Sequence, residues 1–568
     1  MFFRKKNKII NSVISLMIIF VFSANSSEAR KLIIIGGGHV GLIEACLAYL
    51  RAHKNGQELQ IEIFEKNQKI EETTAANIWN SHTPDEIVSV VPRGQELRQK
   101  LKISFDQPGG IRVNDVPGVN DSECARHFVD EVIRYGQDVK GNETRTGVLL
   151  RLGKAGMALW KQLYETADDE LRAIFEESNF NPCCELAGKE EKKLHQGYRI
   201  DLIYGVPQAV NRAKDMMSSY QKLGYKNCQI LSPDEVVARD PSLAQFCIQH
   251  AVGEPGKRQW KEDSIALWRP GGCLDTQKFL PLLVGYLKKT MGADFQLHLN
   301  KKVIGVMYGQ DNAKPVMIKG LKFADGTQTE NNPNSTTYVF CPGEAVGTLK
   351  NLGFQEPAYA GFAGASLCLN VPLSDEQLKE FEGFNHCMEV HKVGICLAWQ
   401  ARIRDGKIFL GGAGTKSFYA DKEPTVREAF AKNRNLLQLV MFNDVLPWVV
   451  SIALNRDTTG QQLTEEDMDI LEEKKIAKRW VGRRSVAYDG FPTLGHLYHK
   501  GEVVSNGRVT THAGSGGGSF SLVTSLISSF ALHPEEVREE LKRVDLSPDF
   551  AQEVLHYADS RREATSSE

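Results

Sequence analysis

The sequence predicts an α/β fold in which a parallel sheet flanked by helices is assembled from separated parts of the chain. Three observations predict it. The stretch KLIIIGGGHVGLIEACLAYL, Lys31 to Leu50, runs four apolar residues directly into three glycines, with a fourth at Gly41. Then LQIEIFEK, Leu59 to Lys66, alternates apolar and polar residues between polar flanks. Further strand-like runs that end in glycine turns recur far downstream, within residues 268–346 and 479–530, with other material between them.

Each element has a local reason. Leu32, Ile33, Ile34 and Ile35 form a continuous apolar run, the pattern of a strand buried on both faces. Val40, Ile43, Leu47 and Leu50 recur at helical spacing. With the alternating strand from Leu59, the segment reads as strand, glycine turn, helix, strand: a βαβ unit. In such a Rossmann-like unit Gly36 lets the chain turn off the strand, Gly38 lets the backbone approach a pyrophosphate, and Gly41 lets the helix pack on the sheet. The helix N-terminus offers unpaired N–H groups and a positive dipole end to the phosphates. Glu65, with Lys66 beside it, ends the second strand. A carboxylate there accepts hydrogen bonds from an adenosine ribose and repels a 2′-phosphate, so the pattern implies FAD or NAD. Downstream, Asp275 can cap a helix whose apolar face is Phe279, Leu282, Leu283 and Leu287. Phe295–Leu299 and Lys301–Tyr308 read as strands, and Phe323–Gly326 as a hairpin turn. Residues 355–478 alternate strands with amphipathic helices. The chain after His533 is charged and reads as a surface helix with a frayed tail.

Bulk properties bound the rest. The chain has 568 residues, with 42% hydrophobic and 25% charged residues and a net charge of −2. This is the composition of a globular protein with several domains. Its charge balance gives no overall basic field for nucleic acid. At the N-terminus, Arg4, Lys5, Lys6 and Lys8 precede a mostly apolar run from Ile9 to Ala24, and Ser27 and Ala29 stand before Arg30 as in a small-residue cleavage site. That order is the order of a secretory signal. Cleavage after Ala29 is the first expectation; an uncleaved anchor and a cytoplasmic apolar N-terminus are the alternatives. The basic flank contains no twin-arginine pair, so a dinucleotide cofactor would be acquired after translocation. The 11 cysteines are odd in number. Their spacing gives no zinc motif and no Cys-x-x-Cys. Cys46, Cys341, Cys368 and Cys396 sit in apolar contexts and read as small core residues.

Several segments, read together and in order, resemble one family: IIIGGGHVGLIEACLAYL, EKNQKIEETTAANIWNSH, WRPGGCLDTQKFLPLLVGYL, YVFCPGEAV, VGRRSVAYDGFPTLG and HAGSGGGSFSLV. They are similar to the D-amino-acid oxidase/dehydrogenase superfamily of FAD proteins, whose flavin domain is of the glutathione-reductase type. A weaker similarity, through EETTAANIWNSH, links the chain to malate:quinone oxidoreductases. The resemblance selects FAD over NAD. It implies a Rossmann-like FAD-binding domain interleaved with an α+β substrate domain built on an antiparallel sheet. It also implies flavin contacts from Thr74 and Asn77, adenine contacts from Val303, a pyrophosphate turn at Gly343, and cofactor contacts from Asp489 and Gly490. The run Gly514, Gly516, Gly517 and Gly518 precedes an apolar helix and corresponds to the helix start that faces the flavin pyrimidine. Departures are Cys341 for the usual alanine, Ser485, Ala487 and Tyr488 in the Arg484 motif, and Ala513 after His512.

For catalysis, Arg484 is the expected anchor of a substrate carboxylate, because a guanidinium gives a bidentate fork. Arg483 competes for that register, His512 is the expected orienting group or base, and Arg269 is a further alternative. The expected organisation is a signal or anchor at 1–29, FAD-binding segments at 30–105, 266–350 and 479–535, a mostly helical insertion or substrate domain at 106–265, a substrate domain at 351–478, and a helix and tail at 536–568. The expected activity is FAD-dependent oxidation of the CH–NH bond of an amino acid or related amine, with oxygen or a membrane quinone as electron acceptor and, in the quinone case, peripheral membrane association. The alternatives are a malate-like 2-hydroxy-acid:quinone oxidoreductase and an exported flavin-binding protein with an altered site.

Overall fold

In the computed structural model, the described residues are 30–73, 80–82, 112–113, 131, 134–135, 138–178, 180, 198–203, 213–214, 217–218, 220–222, 224–225, 228–239, 241, 265–309, 315–343, 348–357, 359–380, 385–392, 395–419, 435–440, 442–443, 446–511 and 517–562. The apolar run at Leu32–Ile35 forms strand β1 (Arg30–Ile35), the helically spaced residues form helix α1 (His39–Lys54), and the alternating segment forms β2 (Leu59–Phe64). β1 and β2 pair in parallel, Ile34 opposite Ile63. Four more strands complete this sheet: β3 (Phe295–His298), β4 (Thr336–Phe340), β5 (Thr493–His499) and β6 (Glu502–Thr511), in the order β5-β6-β4-β1-β2-β3. All pairings are parallel except the β5–β6 hairpin. Between β3 and β4 the chain forms a three-stranded antiparallel sheet, Val303–Tyr308, Ile318–Phe323 and Gln328–Glu330. Its last hairpin turns at Gly326, where φ is +82°.

Helices cover one face of the βαβ core, while Ile33, Ile35, Phe64 and Phe340 on its other face pack on Ile318, Leu321 and Phe323 of the antiparallel sheet. α2 (Val139–Thr166) and α3 (Asp169–Glu177) are capped by Asp138 and Asp168, whose carboxylates accept from Gly141 N and Leu171 N. α4 (Thr276–Met291) is capped by Asp275, as its sequence predicts. Trp160 and Leu163 of α2, Leu171 and Phe175 of α3 and Phe279, Leu283 and Leu287 of α4 share one apolar core with Leu32, Ile34, Leu42 and Ile43. Residues 106–265 are therefore partly structural support for the nucleotide fold. Toward the C-terminus, α5 (Gly517–Leu532), α6 (Pro534–Lys542) and α7 (Pro548–Ala558) pack with the middle turns of α2. Their core is Phe520, Val523, Ile527, Leu541, Phe550 and Val554 against Val148, Leu149 and Leu152.

A nine-stranded sheet forms the second body. Its order is Ala477–Ala487, Tyr359–Pro372, Lys407–Tyr419, Ile395–Arg404, Asn385–Lys392, Tyr198–Ile203, Ile265–Pro270 and Gln229–Leu231, with Arg112–Val113 beside Lys407–Tyr419. Most neighbours are antiparallel, as the resemblance implies. Two stretches of chain take sheet partners that local pattern does not indicate. Ala477–Ala487 pairs along its length with Tyr359–Pro372, so the third nucleotide-fold segment joins its sheet only at Thr493. Tyr198–Ile203 and Gln229–Leu231, inside the segment expected to be a mixed, mostly helical insertion or substrate domain, are strands of this sheet. In both cases the pairing partner is remote in sequence, where local periodicity does not reach. Leu367, Leu369, Ile408 and Leu410 pack the sheet against helices Pro447–Leu454 and Glu465–Glu473. Among the described residues no helix is long and apolar enough to cross a membrane. Cys46 and Cys341 are buried free thiols and Cys368 is half-buried; the side chain of Cys396 lies outside the described set.

Candidate flavin site

The glycine turn closes as its spacing predicts. Gly36 has φ +107°, a region open to glycine. A Cβ on Gly36 would stand 2.2 Å from Cys341 O, and one on Gly41 would stand 1.9 Å from Gly36 O and 3.2 Å from Ile34 Cγ2. The turn is thus packed between the end of β4 and the first turn of α1. Gly38 is the N-cap of α1, supplies no side-chain cap, and is followed by no acidic residue in the first turn. No acidic side chain in the first turn therefore offsets the positive end of this helix.

Glu65 lies against that turn and is 5% exposed. Its Oε2 accepts from Gly37 N at 2.7 Å and its Oε1 accepts from Asn67 N at 2.9 Å. Each oxygen keeps a lone-pair direction for a further donor. Two backbone donors fix the carboxylate at the edge of the turn. Lys66 is exposed. The loop before Val303 docks on the same strand end, with Lys301 N donating to Glu65 O and Asn300 N to Asn67 O, both at 2.8 Å. Val303 then opens the antiparallel sheet, opposite Phe323. From the other side, Cys341 N donates to Ile35 O at 2.8 Å, and Gly343 follows with φ +62°. The structure thus brings Gly36, Gly38, Gly41, Glu65, Val303 and Gly343 to one end of the parallel sheet.

Two buried contacts join α1 to α5, whose first residues include Gly517 and Gly518. His39 Nε2 and Ser521 Oγ are 3.0 Å apart, at the start of both helices. Five residues on, Glu44 meets Arg508 of β6 in a bidentate pair at 2.7 and 2.6 Å, the two residues being 2% and 4% exposed. Thr510 Oγ1 also donates to Glu44 Oε1 at 2.7 Å, and Arg508 Nη1 donates to Ser528 Oγ of α5 at 3.1 Å. None of these four groups was anticipated from sequence. The available signal was a charged residue inside an otherwise apolar helix face at Glu44 and inside an apolar strand at Arg508, since charges in such places are buried only in pairs.

Other expected residues fall elsewhere. Asp489 is buried, and its Oδ1 accepts from Phe491 N while Oδ2 accepts from Arg562 Nε, each at 2.9 Å. Its described partners are protein groups, and Gly490 beside it has φ +71°. Arg484 is a strand residue opposite Phe362, and Arg483 is opposite Ala363; their side chains lie outside the described set. Arg269 is buried and donates to Tyr220 OH at 2.7 Å. Thr74, Asn77, His512, Gly514 and Gly516 lie outside the described residues.

No protein-family model matches the chain, and no curated protein sequence matches it. Solved structures do. Glycine oxidase from Geobacillus kaustophilus superposes with a TM-score of 0.51 at 13% identity, covering 89% of this chain and 95% of that one. A modified fructosyl peptide oxidase from Aspergillus nidulans gives 0.52 at 12% identity, covering 89% and 90%. Fructosyl peptide oxidase from E. terrenum gives 0.51 at 12%, covering 92% and 93%. The chain shares its fold with these oxidases.

Proposed function

We propose that this protein is an FAD-dependent oxidoreductase that oxidises the CH–NH bond of an amino acid or related amine. The observation that carries the reading is the end of the parallel sheet, where an uncapped helix N-terminus and a backbone-held, buried carboxylate stand together at the glycine turn. That donor set fits a dinucleotide: phosphate oxygens match the free N–H groups, and ribose hydroxyls match Glu65. When bound, FAD supplies the acceptor for hydride. The chain supplies placement. α1 orients the pyrophosphate, Glu65 fixes the ribose, and α5 presents a second helix start held to α1 through His39–Ser521. Arg484 would anchor the substrate carboxylate by its fork, leaving the oxidised carbon to be positioned by the rest of the substrate. We further propose that residues 1–29 direct export of this body and that oxygen or a quinone takes the electrons.

Purified protein tests the reading. Heat-released FAD and anaerobic bleaching of the flavin by an amino acid or secondary amine are the expected results. Bleaching by malate or lactate alone would transfer the assignment to 2-hydroxy acids. A protein that binds FAD and is bleached by no member of a broad panel would be a flavin-binding protein with an altered site. A colourless protein that takes up no FAD would refute the proposal. Oxygen consumption against reduction of a soluble quinone separates the two acceptors, and N-terminal sequencing of native protein, expected to begin at Arg30, tests export.

A further inference from the structure

Arg562 lies beyond the last helix, yet its side chain is only 8% exposed. Its Nε donates to Asp489 Oδ2 at 2.9 Å, its Nη2 to Phe491 O at 2.7 Å, and its Nη1 to Thr493 Oγ1 at 3.0 Å. Nη1 also reaches Ala558 O and Asp559 O, both at 3.1 Å, so the same guanidinium closes the C-terminal end of α7. Asp489, Phe491 and Thr493 are the passage by which the chain leaves the nine-stranded sheet and enters the six-stranded one. The opposite passage ends at Tyr359, the first residue of Tyr359–Pro372. Tyr359 OH bonds Thr493 Oγ1, and Tyr359 is the register partner of Ala487. Both passages therefore meet at one buried polar hub, and Arg562 supplies the cation that holds it together.

The hub sits at the end of the strand pair that carries Arg484, which is opposite Phe362, three positions from Tyr359. We infer that Arg562 is a positioning residue that sets the Arg484 strand relative to the flavin sheet, so that residues after α7 tune the substrate site without touching it. This inference rests on the reading of the chain as a flavin oxidoreductase with Arg484 as its carboxylate anchor. A guanidinium suits the task because one planar fork can bond a carboxylate, a carbonyl and a hydroxyl together. Lysine keeps the charge but offers a single point.

The experiment uses the full FAD-loaded chain with acetate as a non-oxidisable carboxylate probe, read by its perturbation of the flavin absorbance. Arg562→Ala and Arg562→Lys are expected to weaken acetate by about tenfold, with Lys the milder, while FAD affinity changes by less than about threefold. Thr493→Val, which keeps the Asp489–Arg562 pair, is expected to shift acetate in the same direction by a smaller factor. Amide exchange supplies a ligand-free readout: Arg562→Ala should speed exchange at 360–362 and at 490–493 together, beside the end of α7 that the guanidinium also closes. Variants that melt earlier but bind acetate as wild type does would overturn the inference, because Arg562 would then be only structural. Parallel loss of FAD and acetate would overturn it too, as would faster exchange at 490–493 with 360–362 unchanged. Wild-type protein that binds no FAD refutes the underlying flavin reading instead, and the exchange result then decides the hub on its own.

Discussion

Replacing Glu44 by methionine strands the Arg508 guanidinium. In the native fold Arg508 gives both terminal nitrogens to Glu44, at 2.7 and 2.6 Å, and both side chains are nearly inaccessible to water. After the substitution only the Thr510 and Ser528 hydroxyls remain near it as described acceptors. An unpaired buried charge of this kind costs about 3–5 kcal/mol, most of it desolvation that the lost carboxylate had offset. Converted at about 1.4 kcal/mol per factor of ten, α1 should open about two to three and a half orders of magnitude more often. Amide exchange across residues 42–52, followed by mass spectrometry, measures that opening directly. The companion variant Glu44→Met with Arg508→Met removes both charges into an apolar site and should recover most of the loss. A single substitution that costs less than about 1 kcal/mol, or a double as damaging as the single, would show that the pair is not the buried clamp described here.

Four further outcomes follow from the geometry. Gly36→Ala places a Cβ 2.2 Å from Cys341 O at φ +107° and should leave protein without bound FAD, measured by the flavin-to-protein absorbance ratio. Arg484→Ala should raise KM more than it lowers kcat, with a loss of about 2–5 kcal/mol in kcat/KM, and unchanged kinetics would remove it as the anchor. Burial lowers the His496 pKa below its ordinary 6.5. The unfolded chain then binds more protons just below that value, so stability should fall as pH drops through 6.5 toward the folded value, and His496→Gln should flatten the dependence in urea titrations. Burial, with Asp168 nearby, pushes the Cys46 thiol up to about 12; iodoacetamide at pH 8 should leave Cys46 unlabelled in native protein and label it in urea.

What could be read from the sequence was what local pattern encodes. β1, α1 and β2 appear where periodicity and glycines put them, and Asp275 caps the helix it was expected to cap. The place of Glu65 is legible because it depends only on the end of a strand next to a glycine turn. The hub at Arg562 was not, since nothing local distinguishes that arginine from Arg561, which pairs with Asp559 and is exposed. Asp489 was picked out for its motif, and its charge proves to be shared with a residue 73 positions away. The pairing of the Arg484 strand with Tyr359–Pro372 is not legible for the same reason: alternation says that a strand exists, not which partner it takes.

The order of strands in the parallel sheet has a consequence for how the chain is made. Its central neighbours, β4 and β1, come from opposite halves of the message, and the ion pair that secures α1 joins residues 464 apart. Neither half of a growing chain can close this sheet. Loop-closure entropy must be met before any central pairing rewards it, so folding is slow and begins in earnest only after the ribosome has passed β6. The same interleaving that hides the parallel sheet from local sequence pattern makes the site at its glycine turn a property of the finished chain rather than of a folding intermediate.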